Sequence, residues 1–516
     1  MKNILRFLPI QVIVLLGFCL PACTLNTPAE KKSDPVLVSS VTAGGDFELE
    51  TGRTKQLDVT VKPDNADNRN LNYRSSRPDV AEVNDTGLVT AKNPGEAAVT
   101  VTAADGSGVS TTVRVTVMDT ALDIPAAERI FAALKGKPAV SGGWADMYDG
   151  GAGVKYADPA EYIFIDDEVY PLPAGKLAAF RDALQRSGDT FIVVSGDIDL
   201  SDGKVTDTDH SYFDEFDPVT HNRLHGDITV SVGSGTTVIG INGARIKYGG
   251  LKINNSVNVI IRNLDFWDAH GSTEKNTAIP EYAASKASID ALVIQGGSDG
   301  VWVDHCTFTD GLCEDLIRNY NHDGTLDIPK GKNVTVSWCE FTNHDKVMLA
   351  ASSDSDANAV PEDRQITLHH NYFHDRVTQR MPRARGTLMH IYNNYYNNIG
   401  VPNNSGYSLG PGYGSQFIVE NNYFGVHRAS IVKYYDKSRE GDETFSRFYH
   451  SGNIPALSAS NCSYDSVEKV RDFTKHAAAV KPWAVPYSYT PEPAAGLIVS
   501  VPVGAGSRLG IQDMLE

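Results

Sequence analysis

The stretch Val301-Trp302-Val303-Asp304-His305-Cys306-Thr307-Phe308 carries a pattern that returns five more times along the chain without gaps over its central residues. The matching segments are 259–266, 334–341, 366–373, 389–396 and 417–424. Successive segments begin roughly 23 to 42 residues apart, which is the period expected of a solenoid. Each segment is predicted to be one short β-strand of a repeating coil.

Two columns of similar residues appear when the segments are aligned. The last position is always aromatic, at Phe266, Phe308, Phe341, Phe373, Tyr396 and Phe424. The position two residues earlier holds Leu264, Cys306, Cys339, Asn371, Asn394 and Asn422. Coils stacked roughly 4.8 Å apart would place rings on rings and amides on amides. We therefore predict a right-handed parallel β-helix; a sandwich or propeller would need tight hairpins, which are scarce after Thr237.

A different pattern fills residues 36–118, where apolar and β-branched residues alternate between turn signals, as in 54–61. This alternation predicts an antiparallel sandwich. Segments 75–83 and 95–101 resemble the bacterial immunoglobulin-like family. The predicted fold class is all-β, with a small immunoglobulin-like β-sandwich followed by the β-helix over residues 121–516.

An amphipathic helix is expected at 174–185, with one apolar side made of Leu177, Phe180, Ala183 and Leu184. Such a helix would cap an end of the solenoid.

The N-terminus predicts export. Lys2 and Arg6 precede an apolar run over 10–20 that is too short to span a membrane. We predict a lipoprotein-type signal peptide at 1–22, lipidation at Cys23 and a linker over 23–35. The protein would then be secreted or held at the bacterial outer membrane or cell surface, with the lipid as its only membrane attachment.

Four cysteines remain in the folded part, namely Cys306, Cys313, Cys339 and Cys462. This number is too small for a disulfide scaffold, and no Cys-x-x-Cys pair indicates structural zinc. Cys306 and Cys339 should stack inside the solenoid, either as thiols or as a disulfide between coils. Any bound metal is expected to have oxygen ligands.

The formal net charge of -18 argues against nucleic acid as a partner. It also disfavours a polyanionic substrate unless a divalent cation and a local basic cluster offset the repulsion. We expect the protein to be a monomer.

Candidate metal ligands are Asp290 and the pair Asp323 and Asp327 in Asp323-Gly324-Thr325-Leu326-Asp327. Carboxylates on adjoining coils can converge on one calcium ion. His369 and His370 are neighbours on a predicted strand and should face opposite sides, so they are not expected to share a metal.

Basic residues follow these carboxylates along the chain. Lys346 comes shortly after the strand that ends at Phe341, and four arginines cluster at Arg376, Arg380, Arg383 and Arg385. Guanidinium groups bind carboxylates through two parallel hydrogen bonds, which suits a substrate that carries carboxylate groups.

These motifs together resemble the pectate lyases of polysaccharide lyase family one, over residues 238–424. The resemblance rests on segments such as 301–305, 334–338, 369–373 and 380–385. It implies calcium ligands at Asp290, Asp323 and Asp327, and substrate binding by Lys346 and Arg385. It also implies that Arg380 is the catalytic base.

The activity implied by this resemblance is calcium-dependent cleavage of α-1,4-linked polygalacturonate by β-elimination, which gives 4,5-unsaturated products. A calcium-independent pectin lyase shares the fold and the arginine motif but has no use for three clustered carboxylates. A hydrolase would need a separate acid and base pair of carboxylates. A non-catalytic surface adhesin gives no reason for the arginine cluster.

Overall fold

The computed structural model describes residues 35–50, 52–92, 95–118, 124–210, 212, 228–271, 289–312, 322–350, 363–400, 406–428, 430–435, 446–464 and 477–515. The signal peptide, Cys23 and Cys313 lie outside these residues. Two compact units divide the chain, and Thr116–Glu516 forms most of the second. Within the described part of the chain, none of the helices is both long and apolar enough to cross a membrane.

The first unit is built from short β-strands around a valine-rich core. One sheet contains Leu71–Ser75, Gly95–Ala103, Ser110–Met118 and Phe47–Glu50; a second contains Thr54–Gln56, Leu88–Ala91 and Ala81–Val83; and Ser40–Ala43 pairs with Val59–Lys62. Strand Gly95–Ala103 alternates buried and partly exposed residues, with Val99 and Val101 fully buried. One face of each strand therefore builds the core, as the alternating sequence predicts.

The second unit is a right-handed parallel β-helix with three faces. Face 1 contains Ile163–Ile165, Thr190–Asp199, Thr236–Lys247, Val257–Arg262, Ser298–Asp304, Gly331–Ser337, Gln365–His369, Leu388–Tyr392, Gln416–Glu420 and Arg447–Ser451. Face 2 contains Asp265–Trp267, Thr307–Thr309, Glu340–Thr342, Tyr372–His374, Tyr395–Asn397 and Tyr423–Phe424. The long strand Thr236–Lys247 pairs with both faces and joins them into one sheet.

Face 3 carries the candidate site. Its strands are Thr229–Val232, Gly250–Asn254, Leu292–Gln295, Leu326–Asp327, Leu349–Ala350, Arg383–Ala384, Tyr407–Pro411, Ser430–Tyr434 and Cys462–Tyr464. Isolated bridges between Gly324 and Lys346 and between Ile328 and Ala350 connect the earlier strands to the later ones. The pairing is parallel throughout, so residues that lie far apart in the sequence occupy neighbouring coils.

The prediction of one strand per repeat was wrong, because each segment contains two strands separated by a bend. Ser298–Asp304 lies on face 1 and Thr307–Thr309 on face 2, with His305 between them. The residue at this bend has a left-handed backbone in all six repeats, at Asn263, His305, Trp338, His370, Asn393 and Asn421. Asparagine and histidine tolerate this conformation better than most residues, and it turns the chain from one face to the next.

Both predicted columns are present in the interior. The aromatic rings of the first column stack with centroid separations of 4.7 to 5.0 Å from Phe266 to Phe424. The Nδ2 of Asn371 donates to Asn394 Oδ1 at 2.9 Å, and the ladder continues through Asn422 to Asn453.

The cysteines of the second column are also inside. Cys306 and Cys339 are buried free thiols, and the Cys306 N–H donates to Cys339 Sγ at 3.5 Å. Of the two states left open by the sequence, the structure therefore has thiols. Cys462 is a partly buried free thiol.

The second unit also contains helices. They span Ile124–Leu134, Tyr148–Gly151, Pro173–Leu184, Leu497–Gly504 and Ile511–Leu515, with 3₁₀ turns at Trp144–Met147, Ala459–Asn461 and Ala494–Gly496. The predicted capping helix is confirmed as Pro173–Leu184. Its side chains at Leu177, Phe180, Ala183 and Leu184 are buried in the same core as the first coils.

Candidate active site

Face 3 brings the candidate residues together through its register. Gly324, Lys346 and Gln379 are bridge partners on three successive coils. The strand Leu326–Asp327 begins two residues after Gly324, and Leu292 pairs with Leu326. Four segments that are separated in the sequence therefore meet on one surface, as stacking of parallel coils requires.

Two carboxylates lie close to the backbone of Gly324. The Gly324 N–H donates to Asp290 Oδ1 at 2.8 Å, and the Leu349 N–H donates to Asp327 Oδ1 at 2.7 Å. A Cβ at residue 324 would lie 2.6 Å from Asp327 Oδ1 and 2.7 Å from Asp290 Oδ1. A side chain larger than glycine would therefore push the two carboxylates apart.

Burial makes the charged forms of these carboxylates costly. Burial raises the pKa of Asp327 to about 7, although the Leu349 N–H, Arg380 and Lys346 act in the opposite direction. Burial, followed by the charges of Asp327 and Asp323, raises the pKa of Asp290 well above its ordinary value. A divalent cation would remove this mutual repulsion.

Asp323 is the third member of the acidic cluster, and Lys346 is its partner. The Lys346 Nζ donates to Asp323 Oδ1 in a close ion pair. The lysine side chain is only 4% exposed, whereas that of Asp323 is 33% exposed. The structure therefore brings Asp290, Asp323, Asp327 and Lys346 into one cluster.

The donor set fits calcium. All three side chains offer carboxylate oxygens, and calcium prefers several oxygen ligands at about 2.3–2.6 Å. Asp327 is buried, Asp290 is half-buried, and their negative charges repel each other, so a shared cation would stabilise both. Lys346 already neutralises part of this charge, so a bound ion would compete with its ammonium for Asp323.

Arg380 lies beside this cluster, and its positive charge lowers the pKa of Asp327. Its backbone is left-handed, with φ of 64°, and its carbonyl accepts from the Met348 N–H at 2.7 Å. The Arg380 Nε is buried and has no hydrogen-bond partner among the described residues. This guanidinium is therefore free of one of the restraints that would normally hold it to the protein.

The other arginines of the motif lie farther along the same face. Arg383 and Arg385 flank Ala384, which is buried in the core; Arg385 is itself buried, and Arg383 is partly exposed. The Arg383 guanidinium lies 3.8 Å from the centroid of the Tyr435 ring. The Arg385 N–H donates to Ala350 O at 3.0 Å, and its side chain passes close to Gly412. Arg385 thus shares the face with the cluster but packs against later coils.

His344 was missed by the sequence analysis as a supporting residue, although it begins the His-x-Lys segment. Its Nδ1 lies 2.7 Å from Asp310 Oδ1, and its Nε2 lies 2.8 Å from Lys346 O and 3.1 Å from Asp323 O. Burial opposes its charged form, but Asp310 more than compensates and raises the pKa of His344. One ring therefore holds together the two backbone segments that form the ion pair.

The expectation that the side chains of His369 and His370 face opposite sides was wrong. Their Nδ1 atoms lie 2.9 Å apart. Side chains alternate only along a regular strand, and His370 is the left-handed bend residue, which rotates its ring toward its neighbour. The outer nitrogens approach Ser141 O at 2.6 Å and Glu492 Oε1 at 3.3 Å, so these rings have protein partners away from the acidic cluster.

Comparison with known proteins agrees with a lyase of the parallel β-helix class. Residues 118–506 match the family model described as pectate lyase, and residues 40–114 match the bacterial Ig-like domain, group 2. The chain therefore belongs to the pectate lyase family and has an Ig-like domain before the β-helix.

Several curated relatives are similar over different lengths. A pectate trisaccharide-lyase of Thermotoga maritima is 39% identical over 169 residues, which cover 32% of this chain and 41% of the relative. The chain thus spans less than half the length of that relative. Pectate lyase E of Dickeya dadantii is 32% identical over 370 residues, covering 68% of this chain and 82% of the relative.

Solved structures share the architecture. A thermostable pectate lyase aligns with a TM-score of 0.52 and 27% identity, over 71% of this chain and 97% of the other. A pectate lyase bound to a hexasaccharide aligns with a TM-score of 0.51 and 21% identity, over 73% and 99%. The second comparison shows the fold alone.

Proposed function

We propose that this protein cleaves polygalacturonate, a polymer of α-1,4-linked galacturonate, by calcium-dependent β-elimination. The observation that carries this proposal is the convergence of Asp290, Asp323 and Asp327 with Lys346 and Arg380 on one face. An acidic cluster suits a divalent cation, and the adjoining basic groups suit a substrate with one carboxylate on each sugar. Membership of the pectate lyase family supports the same substrate class.

Asp290, Asp323 and Asp327 would hold calcium. When bound, the ion would offset negative charge on the substrate carboxylate as the neighbouring carbon loses its proton.

The side chains of this chain would carry the remaining steps. Lys346 and Arg385 bind substrate carboxylates and fix the orientation of the sugar. Arg380 acts in its neutral form, which the neighbouring positive charges of calcium and Lys346 would favour over the charged guanidinium. It removes the proton from C5, the C4–O bond breaks, and the electrons of that bond leave with the oxygen while the C5 electrons form the C4–C5 double bond. The departing oxygen gains a proton to become a hydroxyl group. No water is consumed, and the product is a 4,5-unsaturated oligogalacturonate.

We further propose that the protein is exported and works as a monomer attached through a lipid on Cys23. Lys2, Arg6 and the apolar run over 10–20 support export. Incorporation of a labelled fatty acid into the wild-type protein, and its loss in Cys23→Ala, would test this attachment.

The activity is tested by incubating purified protein with polygalacturonate and recording the ultraviolet absorbance of unsaturated product, with calcium or with excess chelator. Absorbance that increases only with calcium is expected. Equal absorbance in both samples would favour a pectin lyase, and new reducing ends without absorbance would indicate a hydrolase. Neither signal on any pectic polymer would favour the adhesin.

A further inference from the structure

A second cluster of metal-binding side chains lies outside the acidic cluster of Asp290, Asp323 and Asp327. It consists of His210, Asp268 and His270, and one ligand atom from each lies within 4.8 Å of the others. His210 Nε2 is 2.7 Å from Asp268 Oδ2, and His270 Nδ1 is 3.6 Å from Asp268 Oδ1. The two imidazole rings stack with their centroids 4.0 Å apart.

We propose that His210, Asp268 and His270 form a binding site for a divalent transition metal ion of the zinc type. Imidazole and carboxylate ligands suit this class of ion, whereas the oxygen-only cluster suits calcium. Metal–ligand bonds of about 2.0–2.2 Å place neighbouring ligands roughly 3–4 Å apart, so only small side-chain shifts are needed. This site is independent of the proposed lyase reaction.

The surroundings of the cluster support a cation. The side chains of Asp268 and His270 are 2% and 5% exposed, while His210 is 20% exposed and leaves access from solvent. A cation bound there would face the carboxylate of Asp268 in surroundings that are largely shielded from water.

A third histidine orients the carboxylate. His322 Nε2 lies 2.8 Å from Asp268 Oδ1, and its side chain is 8% exposed. Its other ring nitrogen, Nδ1, is 3.6 Å from Asp310 Oδ2. A ligand carboxylate held by an outer hydrogen bond of this kind is a common feature of metal sites. His322 is thus a positioning residue in the proposed site.

The alternative is that Asp268 is only a buried carboxylate satisfied by imidazole N–H groups. Zinc binding distinguishes the two interpretations. The full-length protein, purified without a histidine tag, would be titrated with Zn²⁺ by calorimetry in excess Ca²⁺, so that the aspartate cluster is occupied. Co²⁺ would serve as a second probe, because visible absorption bands report nitrogen ligands directly.

We expect one equivalent of Zn²⁺ to bind, and His270→Gln or His210→Gln to weaken the affinity at least about tenfold. His322→Gln keeps all three ligands and should weaken it by roughly 10–100-fold. His374→Gln is the matched control, since His374 contacts Glu340 and Asp375 but lies outside the trio; it should bind zinc as the wild type does. Absence of zinc binding, or equal affinity in all four variants, would overturn the proposal.

Discussion

Lys346 places its ammonium group against the carboxylate of Asp323, so a protein cation already occupies part of the acidic cluster. Lys346→Met should therefore strengthen calcium binding about tenfold, because one competing positive charge is removed. The same substitution should raise the KM for polygalacturonate, because a substrate-binding cation is lost. Calcium calorimetry and steady-state kinetics measure the two effects.

The exposed Lys332 provides a control for this experiment, since Lys332→Met should leave both quantities unchanged. Weaker calcium binding in Lys346→Met would show that the lysine supports the metal site and does not compete with it.

Arg380 is the proposed base, and Arg380→Lys should reduce kcat by about 10³-fold while changing substrate affinity only a few-fold. The lysine keeps a positive charge but cannot place a guanidine nitrogen at the same point. Arg383→Lys is the matched control from the same motif, and because Arg383 stacks on Tyr435 it should retain most turnover. Substantial residual activity in Arg380→Lys would remove Arg380 from the base role.

A substitution at Gly324 tests whether calcium binding needs the close approach of the Asp290 and Asp327 carboxylates. In Gly324→Ala the new methyl group would meet Asp327 Oδ1 and Asp290 Oδ1 at less than 3 Å, so the carboxylates must separate. We expect calcium affinity to fall at least about tenfold, because the oxygens no longer converge. Gly175→Ala, where the structure has open space around the added methyl group, should leave calcium affinity unchanged.

The aligned columns were the part of the fold that the sequence predicted best. Identical residues on successive coils meet directly, so the stack from Phe266 to Phe424 needed no knowledge of loops. The asparagine column was not predicted to extend to Asn453. In the other repeats an aromatic residue follows two positions later, but here that position holds Pro455, after Ile454. The bend at His305 was also missed, since its left-handed backbone has no single residue type as its signal.

The sequence predicted which residues form the candidate site, but it did not predict how their side chains contact one another. Asp290, Asp323 and Asp327 were assigned to one calcium site through the resemblance to pectate lyases, and a stacked-coil fold made their convergence plausible. The ion pair between Lys346 and Asp323 depends on side-chain direction, which strand register alone does not determine. His210, Asp268 and His322 come from three distant segments, and none of them belongs to a repeated pattern.

Asn394 should contribute strongly to the stability of the β-helix. Its Nδ2 donates to Leu368 O, Tyr392 O and Asn422 Oδ1, and its Oδ1 accepts from the N–H and side chain of Asn371. Asn394→Ala leaves several of these buried groups unsatisfied and should lower the free energy of unfolding by about 3–4 kcal/mol.

Cys339→Ala, in the same column, provides the comparison. It loses packing and weak sulfur contacts, and should cost about 1–2 kcal/mol. Chemical denaturation of both variants measures the difference. Equal decreases in the free energy of unfolding for the two variants would show that the hydrogen bonds of the amide ladder add little stability beyond side-chain packing.

Glu420 should make the free energy of unfolding depend on pH in the acidic range. Burial alone would raise its pKa, but hydrogen bonds from His390, Tyr489 and Lys481 lower it to about 2. Because the folded value lies below the unfolded value of about 4.3, the stabilisation is present above pH 4.3 and is lost as pH falls toward 2.

At pH 7, Glu420→Gln should therefore be less stable than the wild type by about 2 kcal/mol, and the difference should shrink as pH falls through this window. Thermal unfolding between pH 7 and pH 3 tests the sign. The exposed Glu161→Gln should show no such pH-dependent difference.

The coils of this solenoid exchange hydrogen bonds mainly with the coils next to them, and the amide ladder has an end. Among the residues that the structure describes, Asn453 is the last member, and its Nδ2 donates to Val419 O at 3.0 Å. A coil in the middle must lose two neighbours before it opens, whereas a terminal coil must lose only one. Thermal fluctuations therefore fray the fold from its ends, and backbone amides near Asn371 stay protected from solvent exchange for longer than those near Asn453.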